Sequence, residues 1–259
     1  MSLVDGLATQ VEVVEALILR ETRTRFGAHQ MGYLWALIEP TLWVATFAAL
    51  FLAIGRSVPD GMTIVPFLTT GILPYNIFQS TASRSIAAIP SNRGLLFYRQ
   101  VRPLDVIAAR SVLEVSTLVT VFAVLLGLHL LVSEDRAAPD LLATLLGLGL
   151  AGALGGSLGL VLSSLNVYSN VVERIYGPLS RPLFWCSGLF FTAEDLPDRA
   201  RDILLFNPIL HVVECVRSAW FPMQPSRYFS LGYVCWWIVA LAALGLLLER
   251  SARRRVELS

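Results

Sequence analysis

Apolar runs of about 20 residues, separated by short polar connections, dominate the pattern of the chain. A run of this length is what an α-helix needs to cross the hydrocarbon core of a membrane. Six runs have about this length, at residues 32–54, 64–83, 106–132, 141–165, 175–191 and 228–248. The pattern therefore predicts an all-α integral membrane protein with six transmembrane helices, arranged as a single transmembrane domain over residues 1–259.

The segment before the first span, residues 9–27, has the periodicity of an amphipathic helix. One helical face is mainly apolar and comprises Val11, Val14, Leu17 and Ile18. The opposite face is mostly charged, although Glu21 and Arg25 cut into the apolar side. A helix of this kind lies in the plane of the membrane interface, so we predict an interface helix ahead of the six spans.

Residues 192–226 form a connection that is too polar to cross the membrane. Pro197 and Pro208 are placed to start two short helices, because proline is favoured in the first helical turn. In the second helix, polar side chains recur at helical spacing, at His211, Glu214, Arg217 and Ser218. We therefore predict an amphipathic helix that lies in or under the outer surface of the membrane.

Composition agrees with a membrane protein and excludes several functions. The chain is 55% hydrophobic and only 15% charged, and its net charge of +1 gives no reason to expect nucleic-acid binding. All 20 basic residues are arginine, so the chain lacks the lysine of a Walker A loop or of a Schiff-base enzyme. Its three cysteines have no metal-ligand spacing, and we expect no metal or cofactor on this chain.

The distribution of arginine predicts the orientation in the membrane. Six spans place both termini on one side, and that side carries twelve arginines: Arg20, Arg23, Arg25, Arg84, Arg93, Arg99, Arg102, Arg174, Arg250, Arg253, Arg254 and Arg255. The other side carries six: Arg56, Arg136, Arg199, Arg201, Arg217 and Arg227. Because cytoplasmic connections carry the excess of basic residues, we expect both termini and the 84–105 connection to be cytoplasmic.

The stretch GGSLG, residues 155–159, matches the G-x-S-x-G pattern of a serine nucleophile. An intramembrane serine hydrolase using Ser157 is therefore one alternative. The stretch nevertheless lies inside an apolar run in which small residues repeat every four positions, at Gly147, Ala151, Gly155, Gly159 and Ser163. Such a ridge lets membrane helices approach closely, so we expect it to serve packing rather than catalysis.

Ionisable residues within or at the ends of the spans are further candidates, because such groups face a cavity or one another. They are Glu39, Glu114, Arg84, Arg110 and Arg181. A proton-coupled transporter that depends on Glu114 is another alternative. Such a transporter would need a chain of carboxylates that reaches deeper into the membrane than the acidic residues of this sequence do. Pro40 cannot donate a hydrogen bond to Ala36, so Glu39 and Pro40 predict a bend beside something polar.

Three stretches carry a family resemblance: LRETRTRFGAHQMGYLWALIEP (19–40), NRGLLFYRQVRPLDVIAARSVLE (92–114) and NPILHVVECVRSAWFP (207–222). They resemble the permease subunits of ABC-2-type exporters, in particular the capsular polysaccharide export permeases of Gram-negative inner membranes. O-antigen and teichoic-acid export permeases are looser relatives. The resemblance covers essentially the whole chain and implies the ABC-2 transmembrane fold of the type V exporters.

The resemblance also implies partners. Two copies of the permease would pair with two copies of a separate ABC ATPase, which would hold the ATP and Mg²⁺. Periplasmic and outer-membrane export proteins would complete the route. The cargo would be a lipid-linked acidic polysaccharide that moves from the cytoplasm to the periplasm, and residues 192–226 would be the periplasmic re-entrant helices.

Site residues follow from the same resemblance. The family's coupling helix, which docks on the ATPase, matches Ser91, Asn92, Arg93, Gly94, Leu95, Leu96, Phe97, Tyr98 and Arg99. Candidates for the substrate pathway are Arg23, Arg25, Tyr33, Trp35, Arg84, Arg174, Tyr176, Arg181 and Trp185. Arginine suits an anionic linker by bidentate contact, and aromatic rings suit sugar faces. Glu39 and Pro40 would form a hinge between the interface helix and the first span.

Overall fold

The computed structural model describes residues 3–26, 31–96, 101–133 and 139–258, and within these ranges the regular structure is helical. The helices are α1 (Leu3–Phe26), α2 (Met31–Ala53), α3 (Ile64–Ile86), α4 (Ala88–Ser91), α5 (Arg93–Leu96), α6 (Pro103–Val132), α7 (Leu141–Asn166), α8 (Val171–Trp185), α9 (Asp198–Leu204), α10 (Pro208–Trp220) and α11 (Leu231–Leu258).

Helix α3 lies at the centre of the bundle, between α7, α6, α10, α2 and α8. Its N-terminal half, up to Tyr75, is almost entirely buried, with Phe67, Leu68 and Ile72 at most 1% exposed. Leu148 and Leu154 of α7 pack into the same core. Neighbouring helices rather than lipid therefore surround the first half of α3.

Side-chain caps fix several helix starts. Asp140 accepts a hydrogen bond from Ala143 N at 3.0 Å at the start of α7, and Asn207 accepts one from Ile209 N at 3.2 Å at the start of α10. Pro103 and Pro208 occupy the first helical position of α6 and α10, where the missing N–H has no intrahelical partner. The predicted start of the second outer helix at Pro208 is thus confirmed.

By length and composition, four helices of the described chain can cross a membrane: Leu34–Ala53, Pro103–Val132, Leu141–Asn166 and Leu231–Ala252. Helices α9 and α10 meet at 105° and become a fifth candidate if the bent pair is one broken span. The structure thus has four to five candidate spans by this measure, where the sequence predicted six. Helix α3 coincides with the predicted second span. Its mean hydropathy is lower than that of the four candidate spans, because its second half is polar.

The predicted fifth span, 175–191, differs most from the structure. Helix α8 begins at Val171 and ends at Trp185, and its 15 residues extend about 22 Å at 1.5 Å per residue. Two prolines, Pro178 and Pro182, interrupt its hydrogen bonding. The following residues turn back, with Gly188 at φ 75°, a conformation that favours glycine. Because the residues of this turn are apolar, the sequence predicts them as part of the span.

Helix α1 packs lengthwise on α6. Leu17 is buried there beside Val106 and Ile107, and Val13, Val14 and Ile18 pack around it. Val11, which the sequence placed on the apolar face, is 66% exposed. The helix begins at Leu3, six residues before the predicted start, and its charged face remains accessible at Glu12, Glu15, Arg20 and Arg23.

The polar stripe of α10 is buried in protein. Glu214 and Arg217 are each 1% exposed, and His211 is 6% exposed. Arg217 Nη1 lies 3.0 Å from Glu214 Oε1 and donates to the Phe191 carbonyl, while Nη2 donates to the Gly188 carbonyl at 2.7 Å. The guanidinium also stacks 4.5 Å from the Phe67 ring centre. This ion pair fastens the turn after α8 to α10 and α3.

The small-residue ridge of α7 confirms its predicted packing role. A Cβ on Gly155 would come within 2.5 Å of the Phe78 carbonyl oxygen, and one on Gly159 would come within 2.5 Å of Ser85 Cβ. Helices α3 and α7 therefore approach backbone to backbone. Ser157 lies in the middle of α7, where the backbone is helical, so the strand–turn–helix geometry of a nucleophile elbow is not formed.

Candidate functional site

A polar cavity of about 330 Å³ opens between α2, α3 and α6, and we call it the α2–α3–α6 cavity. Its polar lining comprises Glu39, Asn76, Gln79, Ser80, Ser83, Arg84, Glu114 and Thr117. Pro40, Ala36, Trp43 and Leu118 complete the wall. The cavity thus gathers carboxylate, guanidinium, amide and hydroxyl groups between three helices that belong to predicted spans, where such groups are expected to face a cavity or one another.

The ion pair Arg84–Glu114 joins the two helices at this cavity. Arg84 Nε lies 2.7 Å from Glu114 Oε1, and the carboxylate side chain is 4% exposed whereas the arginine side chain is 49% exposed. The expectation that ionisable groups in the spans face a cavity or one another is confirmed for this pair. Because the Arg84 side chain is half exposed, its guanidinium can contact a ligand in the cavity while it pairs with Glu114.

A second cavity, of about 440 Å³, lies on the other side of the same ion pair, and we call it the α1–α6 cavity. It is lined by Glu21, Thr24, Arg84, Arg110, Leu113 and Glu114. Arg84 and Glu114 thus belong to the walls of both cavities. The two cavities therefore adjoin at this ion pair, one beside the interface helix and the other between α2 and α3.

Pro40 lies in the wall of the α2–α3–α6 cavity without ending the helix. Helix α2 continues from Met31 to Ala53, and the hydroxyl of Thr41 donates to the Leu37 carbonyl at 2.7 Å. Ala36, whose carbonyl loses its usual donor to Pro40, also lines the cavity. The polar surroundings predicted beside Glu39 and Pro40 are present, and their role as a hinge stays a prediction.

The second half of α3 supplies polar groups that sequence reasoning missed. Asn76, Gln79, Ser80 and Ser83 all line the α2–α3–α6 cavity. Their spacing of three and four residues is the signal that could have identified them, because it places them on one helical face. Gln79 is held from α8: it accepts a hydrogen bond from the Tyr176 hydroxyl at 2.8 Å and donates to Ser180 Oγ at 3.0 Å.

Aromatic rings continue the wall from α2 to α8. Trp43 and Phe47 of α2 stack at 5.8 Å, and both contact Phe184 of α8. Phe184 packs edge-on against Trp185, a residue that is 60% exposed. Rings with an exposed face present the flat apolar surface that a sugar ring can pack against.

The predicted pathway residues separate into three groups. Arg84 lines both cavities, Tyr176 reaches one of them through Gln79, and Trp185 belongs to the aromatic wall. Four others are exposed on the surface of the chain, away from these cavities: Arg23, Trp35, Arg174 and Arg181. The side chains of Arg25 and Tyr33 lie outside the described residues.

The predicted coupling segment is only partly described. Phe97, Tyr98 and Arg99, and the side chains of Arg93 and Leu96, lie outside the described residues. Asn92 is buried and accepts a hydrogen bond from Arg20 Nη1 at 2.8 Å, which ties the segment to the interface helix. Ser91 and Gly94 are exposed and Leu95 is half-buried, so the segment offers a surface as well as an anchor.

Comparison with known proteins identifies the class. The family model described as ABC-2 type transporter matches residues 12–221, and the chain belongs to this family. It is 34% identical to the polysialic acid transport protein KpsM of Escherichia coli over 95% of each chain. It is 29% identical to the capsule polysaccharide export inner-membrane protein BexB of Haemophilus influenzae, over 97% of this chain and 95% of that relative.

A more distant relative is the O-antigen export system permease protein RfbA of Klebsiella pneumoniae. It is 22% identical over 88% of this chain and 87% of the relative. The chain is therefore an ABC-2 transport permease that shares more of its sequence with capsule exporters than with this O-antigen exporter.

Proposed function

We propose that the chain is the inner-membrane permease of an ATP-driven exporter that moves a lipid-linked acidic capsular polysaccharide from the cytoplasm to the periplasm. The single observation that carries this proposal is the identity with capsule export permeases along almost the whole length of both chains. Export of O-antigen or teichoic-acid polymers is the alternative, and the lower identity to the O-antigen permease makes it the weaker one.

The proposed topology keeps six spans and both termini in the cytoplasm. Four of the spans are the long apolar helices, and α3 and α8 supply the other two. Helix α3 is long enough to cross and is shielded by its neighbours. Helix α8 is short, so the turn that follows it would lie within the membrane, where Arg217 of α10 holds it. The 105° bend between α9 and α10 supports a re-entrant arrangement on the periplasmic side.

The proposed complex contains two copies of this chain and two copies of a separate ABC ATPase, which binds ATP and Mg²⁺. The absence of lysine, and with it of a Walker A motif, supports a separate ATPase. Residues 91–99 would dock on it. Their attachment to the interface helix through Asn92 supports this role, because an ATPase that moves the segment would also move α1. Periplasmic and outer-membrane export proteins would receive the cargo.

The proposed pathway starts at the α1–α6 cavity and continues through the α2–α3–α6 cavity to the aromatic wall. Arg84 would bind the anionic part of the cargo, since its side chain is half exposed there. Trp185 and Tyr176 would contact sugar. The remaining candidates, Arg23, Arg25, Tyr33, Trp35, Arg174 and Arg181, would line the pathway only where the second copy closes it, and Glu39 with Pro40 would form the hinge.

A purification from native membranes tests the proposal. The tagged chain should bring down an ABC ATPase in equal amount, and a deletion strain should lose surface polysaccharide and regain it with the wild-type gene. Arg93→Glu should weaken ATPase recovery if residues 91–99 dock there, whereas Arg250→Glu, on the exposed surface of α11, should not. Recovery of no ATPase from gently solubilised membranes, or unchanged surface polysaccharide on deletion, would refute the proposal.

Ser157→Ala separates the exporter from a hydrolase. A small-for-small change in α7 should leave export unchanged in a permease and abolish activity in an enzyme that uses this serine.

A further inference from the structure

Arg110 of α6 has three partners on three other elements. Its Nε lies 2.8 Å from Glu21 Oε1 of the interface helix. Its Nη1 donates to the backbone carbonyl of Arg84 in α3 at 2.8 Å, and its Nη2 donates to Ser91 Oγ at 3.2 Å. A guanidinium carries five N–H donors in a rigid plane, so it can fix the relative positions of several groups at once.

The corner between α3 and the coupling segment is the part that these contacts restrain. Helix α3 ends at Ile86, α4 begins at Ala88, and Ala87 between them has φ −86° and ψ 9°, outside the regular helix. Without the contacts of Arg110, a rotation at Ala87 would let Ser91 move while α3 stays in place. Arg110 binds a carbonyl before the corner and a hydroxyl after it, and so holds the two sides at a fixed angle.

The carbonyl that Arg110 binds before the corner is that of Arg84, and the side chain of Arg84 pairs with Glu114 at the two cavities. A displacement that reaches the end of α3 therefore reaches the ion pair. The contact with Glu21 adds the interface helix to the same unit, and the Arg20–Asn92 hydrogen bond adds a second tie between α1 and the coupling segment.

We infer that Arg110 is a positioning residue that transmits movement of the coupling segment and the interface helix to the Arg84–Glu114 ion pair. This inference rests on the proposed function, because it assumes an ATPase that moves residues 91–99. Arg110 also lines the α1–α6 cavity, but in this role it acts through the Arg84–Glu114 ion pair. It makes a movement driven by the ATPase displace this ion pair instead of bending the corner at Ala87.

Substitution of Arg110 should uncouple the two activities of the complex. Arg110→Gln keeps a short donor but cannot reach all three partners, so export per ATP hydrolysed should fall about tenfold. The amount of inserted permease, the amount of co-purified ATPase and the rate of ATP hydrolysis should stay close to wild type. Arg250→Gln, which removes an arginine from the exposed end of α11, is the matched control and should change nothing.

A charge exchange distinguishes transmission from simple stabilisation. Glu21→Arg combined with Arg110→Glu restores the ion pair between α1 and α6, but a carboxylate cannot donate to the Arg84 carbonyl. The inference predicts that this double variant stays uncoupled. Recovery of normal export per ATP in it would show that only the ion pair matters and would overturn the inference.

Ser91→Ala provides a test that does not disturb folding, because Ser91 is exposed and the change removes a single hydroxyl. Export per ATP should fall about threefold, and a value equal to wild type in both Ser91→Ala and Arg110→Gln would refute the inference. A failure of the proposed function would look different, since the wild-type chain itself would then recover no ATPase and export no polysaccharide.

Discussion

Two glutamate–arginine pairs lie near the two ends of α3, and they differ in what surrounds them. Glu214 and Arg217 belong to one helix, are both 1% exposed, and the arginine donates to two backbone carbonyls of the turn after α8. Arg84 and Glu114 come from two helices, and the arginine side chain is 49% exposed at a cavity.

This difference separates a fixed region from one that can rearrange. The groups that Arg217 binds lie inside the protein. A movement of Arg217 would therefore leave buried carbonyls and a buried carboxylate without this partner. Arg84 faces an accessible space on its other side, so it can contact water or an anionic ligand there while it stays paired with the buried Glu114. In the proposed topology Glu214–Arg217 is the outer pair and Arg84–Glu114 is the inner pair. We therefore expect the outer pair to determine stability and the inner pair to determine transport.

The largest effect is expected at the outer pair. Arg217→Gln should lower the free energy of unfolding by about 3–5 kcal/mol, because Glu214 and two carbonyls lose their partner inside the protein. Thermal unfolding of the purified permease in detergent measures this loss. Arg199→Gln, in the exposed part of α9, is the control and should stay within about 0.5 kcal/mol of wild type.

A loss below about 1 kcal/mol for Arg217→Gln would contradict the fixed role of the outer pair, because it would mean that the turn after α8 finds other partners easily.

The contact between α3 and α7, which connects the two regions, gives the next largest effect. Gly155→Ala should destabilise the protein by about 1–3 kcal/mol, because the added methyl group meets the Phe78 backbone. Gly149→Ala in the same helix meets nothing within 4 Å and should be neutral or slightly stabilising. Equal melting temperatures for the two variants would show that α3 and α7 can separate.

At the inner pair the effect should fall on transport instead. The double variant Arg84→Gln and Glu114→Gln removes both charges and should change the free energy of unfolding by less than about 1 kcal/mol. Surface polysaccharide should fall about tenfold, since the charged ligand loses its guanidinium partner. Normal export in this variant, or a large loss of stability, would remove the distinction between the two pairs.

Pro40→Ala should produce the smallest effect. The alanine can donate to the Ala36 carbonyl and straighten α2 beside the cavity, so export per ATP should fall about threefold at an unchanged rate of hydrolysis. Pro225→Ala, in an exposed connection, is the control. Unchanged export per ATP in Pro40→Ala would eliminate the proposed hinge.

The all-helical class and most helix positions could be predicted because each apolar run is a local property of the sequence. The packing ridge of α7 was predictable for the same reason, since spacing alone places Gly155 and Gly159 on one face. The length of α8 was not, because the residues after Trp185 are apolar in composition but form a turn.

The candidate site was predictable only in part. Arg84, Glu114 and Arg110 are conspicuous as charges in apolar runs, but the choice of partners depends on which helices are neighbours. Nothing local pairs Arg84 with Glu114 or Arg110 with Glu21, since each pair joins residues far apart in the chain. The burial of Glu214 and Arg217 was missed because a polar stripe at helical spacing usually faces water.

Access to the second half of α3 tests the central claim most directly. In a variant without the natural cysteines, Ser83→Cys would place a thiol in the α2–α3–α6 cavity, and Thr70→Cys would place one in the buried N-terminal half of α3. A membrane-impermeant thiol reagent, added from the cytoplasmic side, should modify the first and not the second. Equal modification of both, or no modification of Ser83→Cys, would contradict the proposed pathway, which is open to the cytoplasm at the second half of α3 and closed at its N-terminal half.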